Sequence, residues 1–334
     1  MMNEKKFRAR IAGVGHYVPP NVVTSEELEK KLDLPNGWVE MHCGVKERHF
    51  IGEGEIPSDL AIKSSRQALI SAEINIDDID LIIFTSTCRD RAIPSTAAII
   101  QYKLGAKKHI PTFDLNSVCI SFLMGFDIAR TYIENGVYKN VLVVSAELCS
   151  QVLNWKDRNS AILFGDASAA VILTTTLPSQ KSDVVSSYFA TDGSKKDDIT
   201  IKGFGLEYPP HKTINQPELN TFEMNGLNSF KNTIEVANLL FGTLLKESNF
   251  DKEGYQMVIP HQANLPGLRK FMRKVSIPLE KYYVNIDRYG NTASSSIPLA
   301  LSEAVNKGIT KRDDKIILAA VGAGFSWGGI CLVY

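Results

Sequence analysis

Three side chains in this 334-residue sequence are of the types that acyl chemistry needs. Cys119 lies in FDLNSVCISFLMGFDIARTYIENG, residues 113–136, where a β-like run ends and a long apolar helix begins. A helix N-terminus aimed at a sulfur favours thiolate over thiol, because unpaired N–H groups and the positive dipole end face the charge. The same amides can hold a developing oxyanion. The competing reading of Cys119 is a small buried hydrophobe, since free cysteine is among the most buried residue types. His261 ends the apolar strand YQMVIP and opens HQANLPG, at the carboxyl end of a buried strand, where α/β folds place ligands. Asn291 stands in RYGNTASSSIPLAL, a turn feeding a helix, and alone reads as an ordinary turn residue. Together the three supply a nucleophile, a proton-handling ring and an amide donor. Papain-like proteases combine the same types at a comparable Cys-to-His spacing. Their local cysteine context is missing here and Cys119 is far from the N-terminus, which argues against a protease.

The elements that must position these residues alternate between strand and helix. Strands are expected at 8–15, 79–87, 111–116, 140–146, 167–176, 255–260 and 282–286, with KIILAAVGAG turning into GGICLVY at the end. The run IDLIIFTST is nearly continuous in apolar residues, the mark of a strand buried on both faces. Helices are expected from a Thr24–Glu27 capping box to Leu32, at 59–72 with Ser58 as cap, at 95–104, from Cys119 to Gly136, and at 229–248, 264–275 and 296–307. A polar stretch at 176–185 separates two similar α/β sets, and 186–222 reads as irregular.

Composition narrows the class. Hydrophobic residues make up 44% and charged ones 22%, and Lys+Arg and Asp+Glu both total 37. A zero net charge argues against nucleic-acid partners. No apolar run reaches the roughly 20 residues of a membrane helix, and MMNEKKFRARIAGVG does not read as a signal peptide. Cys43, Cys88, Cys119, Cys149 and Cys331 are odd in number and scattered, so neither a disulfide framework nor a metal site is expected, and the thiols read as reduced and cytoplasmic. Asp166 reads as a structural carboxylate.

Several motifs then occur in order: GWVEMHCGVKERH (37–49), FTSTCRDRAIPSTAAIIQYKLG (84–105), FDLNSVCISF, DRNSAILFGDASAAVIL (157–173), VIPHQANL (258–265), DRYGNTASSSIPLAL (287–301) and VGAGFSWGG (321–329). On these the chain resembles β-ketoacyl-acyl-carrier-protein synthase III, the initiating condensing enzyme of the thiolase superfamily, over nearly its full length. The resemblance implies a thiolase-like α/β fold of two similar halves, 1–178 and 179–334, packed as layered α-β-α-β-α. It implies that Cys119 takes an acyl group from acyl-CoA, and that His261 and Asn291 donate to the thioester carbonyl of malonyl-acyl-carrier protein as it loses CO₂. A second oxyanion hole would use the backbone N–H of Cys119 and of Ala323. Trp38 and Arg158 would sandwich the CoA adenine, Asn264 would help order water and the histidine, and Phe164 would lie beside the cysteine. Ile93 would reach a homodimer partner's acyl pocket. CoA enters as a thioester substrate, and no cofactor or metal is implied.

Departures from the family pattern point to a specialised paralogue as much as a housekeeping enzyme. Ile120 and Ser121 replace the usual Ala-Gly after the nucleophile. Pro266 replaces a carrier-docking arginine, although Arg269, Lys270, Arg273 and Lys274 keep that helix basic. His42, ahead of Cys43-Gly44-Val45, replaces a frequent arginine. The alternatives are an acyltransferase or specialised ketosynthase with a different acceptor, and more remotely a non-catalytic partner subunit. Chalcone-synthase-like enzymes share the triad but carry a GFGPG ending that is missing here.

Overall fold

The computed structural model describes residues 5–250 and 254–334; residues 1–4, the start of the stretch read as lacking a signal peptide, lie outside them. Two sheets carry the fold. The first holds β1 (Ala9–Tyr17), β2 (Leu81–Thr85), β3 (Thr112–Leu115), β4 (Asn140–Leu148) and β5 (Asp166–Thr175) in the order β1-β5-β4-β2-β3. The second holds β6 (Asp183–Thr191), β7 (Met257–Pro260), β8 (Lys315–Gly322) and β9 (Ser326–Val333) in the order β7-β8-β9-β6. In the first, β2 runs parallel to β3 and β4, while β5 is antiparallel to β4 and β1. The second repeats that pattern, with β7 parallel to β8 and β9 antiparallel to β8 and β6.

Helices fill the space around and between these sheets: α1 (Pro57–Ala72), α2 (Thr96–Leu104), α3 (Ser121–Glu134), α4 (Gly226–Ser248), α5 (Leu265–Lys274) and α6 (Ser296–Asn306). Strand alternation decides which helix each residue meets. Ile83, Val141, Val143 and Val171 point inward to a core shared with Phe122, Phe126, Ile297 and Leu301 of α3 and α6, and with Ile259, Leu318 and Ile330 of the second sheet. Their neighbours Ile82, Phe84, Leu142 and Ile172 point outward against Leu60 of α1 and Ile100 of α2. Val258, Ile317 and Cys331 likewise meet Leu240 and Phe241 of α4 and Phe271 of α5. The layers are therefore α-β-α-β-α, with α3 and α6 enclosed between the sheets. Gly125 allows this closeness: a Cβ there would stand 2.4 Å from Thr85 Cγ2.

Several boundaries differ from the sequence reading. The capping box forms as expected, with both Thr24 and Glu27 bonds present. Helix α1 starts earlier, at Pro57, and Asp59 rather than Ser58 closes its end by accepting from Ile56 N. Residues 186–191, read as irregular, belong to β6, whose partner β9 supplies the order its polar sequence does not signal. The strand expected at 282–286 shrinks to one parallel bridge between Val258 and Tyr282. Asn285 N donates instead to the Gln262 side chain, and a short helix Ile286–Tyr289 follows.

Candidate active site

The cysteine does not open its helix. Cys119 lies in a single 3₁₀ turn, Val118–Ile120, and α3 begins two residues later. Val118 adopts φ 51°, a costly conformation for a β-branched residue. Ser121 braces it: its Oγ accepts from Ser117 N at 2.7 Å and donates to the Val118 carbonyl at 2.7 Å. This is what one departure from the family pattern does. Ile120 meanwhile is buried in the central core.

Two strand ends and one loop deliver the other groups. Gly322, at the end of β8, packs on the nucleophile, and a Cβ there would meet Cys119 Cβ at 3.1 Å and its N at 3.2 Å. The following residue is Ala323, and among the described residues no backbone carbonyl of another residue accepts from the N–H of Cys119, which faces its own sulfur, or of Ala323. His261 follows β7 and is held on the same β8 by its N–H to the Ala319 carbonyl at 2.8 Å. The loop bearing Asn291 is stitched to the cysteine segment: Ser294 Oγ accepts from Phe122 N and donates to the Thr85 carbonyl, both at 3.1 Å. Asn291 N donates to the Leu163 carbonyl, and Asn291 pairs with Phe164. Phe164 and Ala293 share one apolar cluster with Cys119. Cys119, His261, Asn291, Phe164 and Ala323 are thus brought to one end of the enclosed helices.

Hydrogen bonds orient both polar side chains. Ser296 Oγ accepts from Gln262 N at 3.3 Å, so its proton is free for His261 Nδ1, 2.6 Å away. That leaves the imidazole proton on Nε2. Burial pushes His261 down to about 4, so the ring is neutral at neutral pH. Asn291 Oδ1 accepts from Ala293 N at 2.9 Å, which turns the Nδ2 donor away from the turn. Both groups are donors of the kind a developing enolate oxygen needs.

The thiol departs from expectation. Burial, followed by the charge of Glu147, pushes Cys119 up to about 12, against a lowering by its own backbone N–H. The resting group is a thiol, not the thiolate that a helix N-terminus alone would favour.

The remaining expected residues lie further out. Arg158 Cζ stands 5.4 Å from the Trp38 ring centroid, and His42 stacks on Trp38 at 3.7 Å. A base held between two groups needs about 7 Å, two van der Waals contacts; the pair is closed on itself, and Arg158 must swing aside to admit an adenine. Asn264 caps α5, its Oδ1 accepting from Gly267 N at 2.7 Å, and this oxygen is committed to the helix rather than to His261. Ile93 is 84% exposed and far from any role within its own chain's core. Asp166 accepts from Ile51 N, Ser150 N and Ser150 Oγ, as a structural carboxylate should. Sequence reasoning noted Ser121 only as a departure from the family pattern and missed Ser294, Ser296, Gln262 and Glu147; the serine run at 294–296 was a visible signal for two of them.

Comparison with known proteins decides the family. The model for 3-oxoacyl-[acyl-carrier-protein] synthase III matches residues 113–193, and that for its C-terminal part matches 245–334. The chain belongs to the synthase III family. Beta-ketoacyl-[acyl-carrier-protein] synthase III of Clostridioides difficile (strain 630) is 36% identical over 96% of this chain and 97% of its own. That of Clostridium perfringens (strain SM101 / Type A) is 38% identical over the same shares. The crystal structure of the synthase III from Aquifex aeolicus VF5 superposes with a TM-score of 0.89 at 34% identity, covering 98% of this chain and 100% of that one. As a synthase III family member, the protein is a condensing enzyme with a thiolase-type fold. Among the described residues no helix is long and apolar enough to cross a membrane, and no group of three or more His, Cys, Asp or Glu could hold a metal ion.

Proposed function

We propose that the protein primes chain elongation by decarboxylating condensation of an acyl group, carried on Cys119, with malonyl-acyl-carrier protein. What supports this reading is that the segments bearing Cys119, His261 and Asn291 meet at one end of the enclosed helices, with hydrogen-bond partners that orient His261 Nε2–H and Asn291 Nδ2 as donors. In the first half-reaction Cys119 Sγ attacks the acyl thioester, and the N–H groups of Cys119 and Ala323 hold the oxyanion. In the second, the two side-chain donors stabilise the enolate left by CO₂ loss, and its carbon attacks the acyl-cysteine. A neutral His261 suits this role, since it donates without delivering a proton that would quench the carbanion.

Acyl-CoA is the proposed donor, with Trp38 and Arg158 opening around its adenine. The proposed docking face for the acidic carrier protein is α5, where Arg269, Lys270, Arg273 and Lys274 are all exposed. A homodimer, with Ile93 entering the partner's site, completes the acyl pocket, and the cytoplasm is the proposed location, in keeping with five unpaired thiols. The test mixes purified protein with acyl-CoA and malonyl-acyl-carrier protein. A β-ketoacyl product with CO₂ release and an intact-mass acyl adduct on Cys119 is expected; acyl transfer to the carrier without CO₂ would replace this reading with a simple acyltransferase.

A further inference from the structure

Arg48 is a charged residue that the reading above does not use. It lies on the strand Glu47–Phe50, which pairs with Asn21–Thr24 in a small sheet apart from the two main ones, and it is fully buried. Among the described residues no carboxylate pairs with it. Glu29, the acid whose charge reaches it, is committed to Gly37 N at 3.0 Å and Val39 N at 2.8 Å. Burial pulls Arg48 down to about 10, which still leaves it charged at neutral pH. A buried charge without a counter-ion is costly unless its hydrogen bonds offset the desolvation.

Those bonds go to neutral acceptors. Nη1 donates to the Val23 carbonyl at 3.4 Å and to Ser25 Oγ at 3.1 Å, both beside its own strand, while Nε finds no acceptor. Nη2 donates to the Ile162 carbonyl at 3.0 Å, and the Cys43 thiol reaches the same oxygen only at 3.7 Å. Ile162 opens a strap, 162–165, that grips Asn291 by both its backbone groups. Asn291 N donates to the Leu163 carbonyl at 2.8 Å, and Gly165 N donates to the Asn291 carbonyl at 3.1 Å. Phe164, between them, forms the parallel bridge with Asn291. The fit leaves no slack: a Cβ on Gly165 would stand 3.1 Å from Arg48 Cβ, and one on Gly290 would stand 2.8 Å from the Leu163 carbonyl. The Arg48 strand also reaches the far side of this loop, where Lys46 N donates to the Asp287 carbonyl at 2.8 Å. Because Ala293 N holds Asn291 Oδ1, the direction of Nδ2 follows from the backbone that the strap fixes. The other two groups of the site are held elsewhere, His261 by the Ala319 carbonyl and Ser296, and the Cys119 turn by Ser121.

We propose that Arg48 is the positioning residue of Asn291, fixing through the Ile162 carbonyl the strap that aims Nδ2 at the malonyl thioester oxygen. A charged donor binds a carbonyl roughly twice as strongly as a neutral one. The planar fork lets two nitrogens serve Ser25 and Ile162 at once, which a single ammonium cannot do. Arg48 touches no substrate, and its effect falls on decarboxylation rather than on acylation of Cys119.

The inference rests on the condensation reading, which gives Asn291 its role, and the test separates the two. Arg48→Met and Arg48→Lys are compared with the native protein in three measurements. These are single-turnover acylation of Cys119 by acyl-CoA, CO₂ release from malonyl-acyl-carrier protein by the acyl-enzyme, and amide hydrogen exchange, which needs no substrate. In Arg48→Met, acylation should stay close to native. The kcat for CO₂ release should fall roughly 100-fold, the scale of a misplacement of about 1 Å, with KM little changed. Exchange should quicken in peptides covering 160–166 and 286–293 and stay native in the one covering 115–123. Arg48→Lys, which keeps the charge and loses the fork, should fall between the two, and it decides alone where Arg48→Met does not fold. Native CO₂ release or native exchange at 286–293 in a folded Arg48→Lys protein overturns the proposal. So does an equal loss of acylation and decarboxylation, which would make Arg48 a general support of the fold. If the native protein itself releases no CO₂, the condensation reading fails, and the exchange profiles alone still decide whether Arg48 holds the Asn291 loop.

Discussion

Ser296 and His261 show how one hydroxyl can set which nitrogen of a ring carries the proton. The Ser296 Oγ is fed by Gln262 N and turned to His261 Nδ1, so the Nε2 edge of the ring presents N–H rather than a lone pair. Ser296→Ala frees the ring to take either tautomer. Malonyl decarboxylation should then fall by roughly ten- to 100-fold, less than the roughly 100- to 1000-fold that outright loss of such a donor costs, while acylation of Cys119 stays close to native; a radiolabelled CO₂-release assay beside intact-mass acylation measures both. The same burial predicts a stability slope. His261 binds a proton below its ordinary 6.5 in the unfolded chain but only near 4 in the folded one. Its contribution is fully present above 6.5 and lost as pH falls toward 4, on the order of 3 kcal/mol. Urea titrations should show His261→Asn losing less stability than the native protein between these limits.

The enclosed helices α3 and α6 do two jobs, since the core is built on them and their leading ends border the proposed site. Helix α6 is pinned at its far end by Glu303, which is buried against Arg288, Lys307 and Asn285. Burial alone would raise this carboxyl, but its bonds to Arg288, Lys307 and Asn285 win and hold it down at about 2. Glu303→Gln leaves Arg288 without its counter-charge, and a loss of roughly 3 kcal/mol is expected, as for other broken buried pairs. Thermal unfolding at neutral pH measures it. Because Asn285 then loses an anchor beside the short helix that leads to Asn291, decarboxylation should weaken together with stability.

Across the whole molecule, one group of exposed apolar side chains lies around Ile93, at 84%, and Tyr102, at 85%, with Arg91, Pro94 and Lys103 lining a groove with Tyr102. Exposed apolar groups gathered in this way mark a surface that another chain covers. A dimer in solution is expected, and Ile93→Asp should shift it to monomers by light scattering. Because the same residue is proposed to line the partner's acyl pocket, the variant should also change the acyl chain length that Cys119 accepts, read from the acyl adducts in a mixture of donors.

The order of elements and the proposed roles of Cys119, His261 and Asn291 were read from local patterns: continuous apolar strands, a cap at Thr24, and motifs in a recognisable order. Those features act between near neighbours in the chain, so one dimension carries them. What tertiary structure alone decided are the effects of distant segments on one another. The register of β6 came from β9, and the truncated strand at 282 from a Gln262 side chain. The thiol's high proton affinity came from burial and a glutamate 28 positions away along the chain but close in space. The closed Trp38–Arg158 pair came from the first residues of two short helices, Trp38–Cys43 and Arg158–Ala161, meeting in space. Hydration, charge and contact in a folded protein depend on which residues share a volume, and sequence spacing does not set that distance.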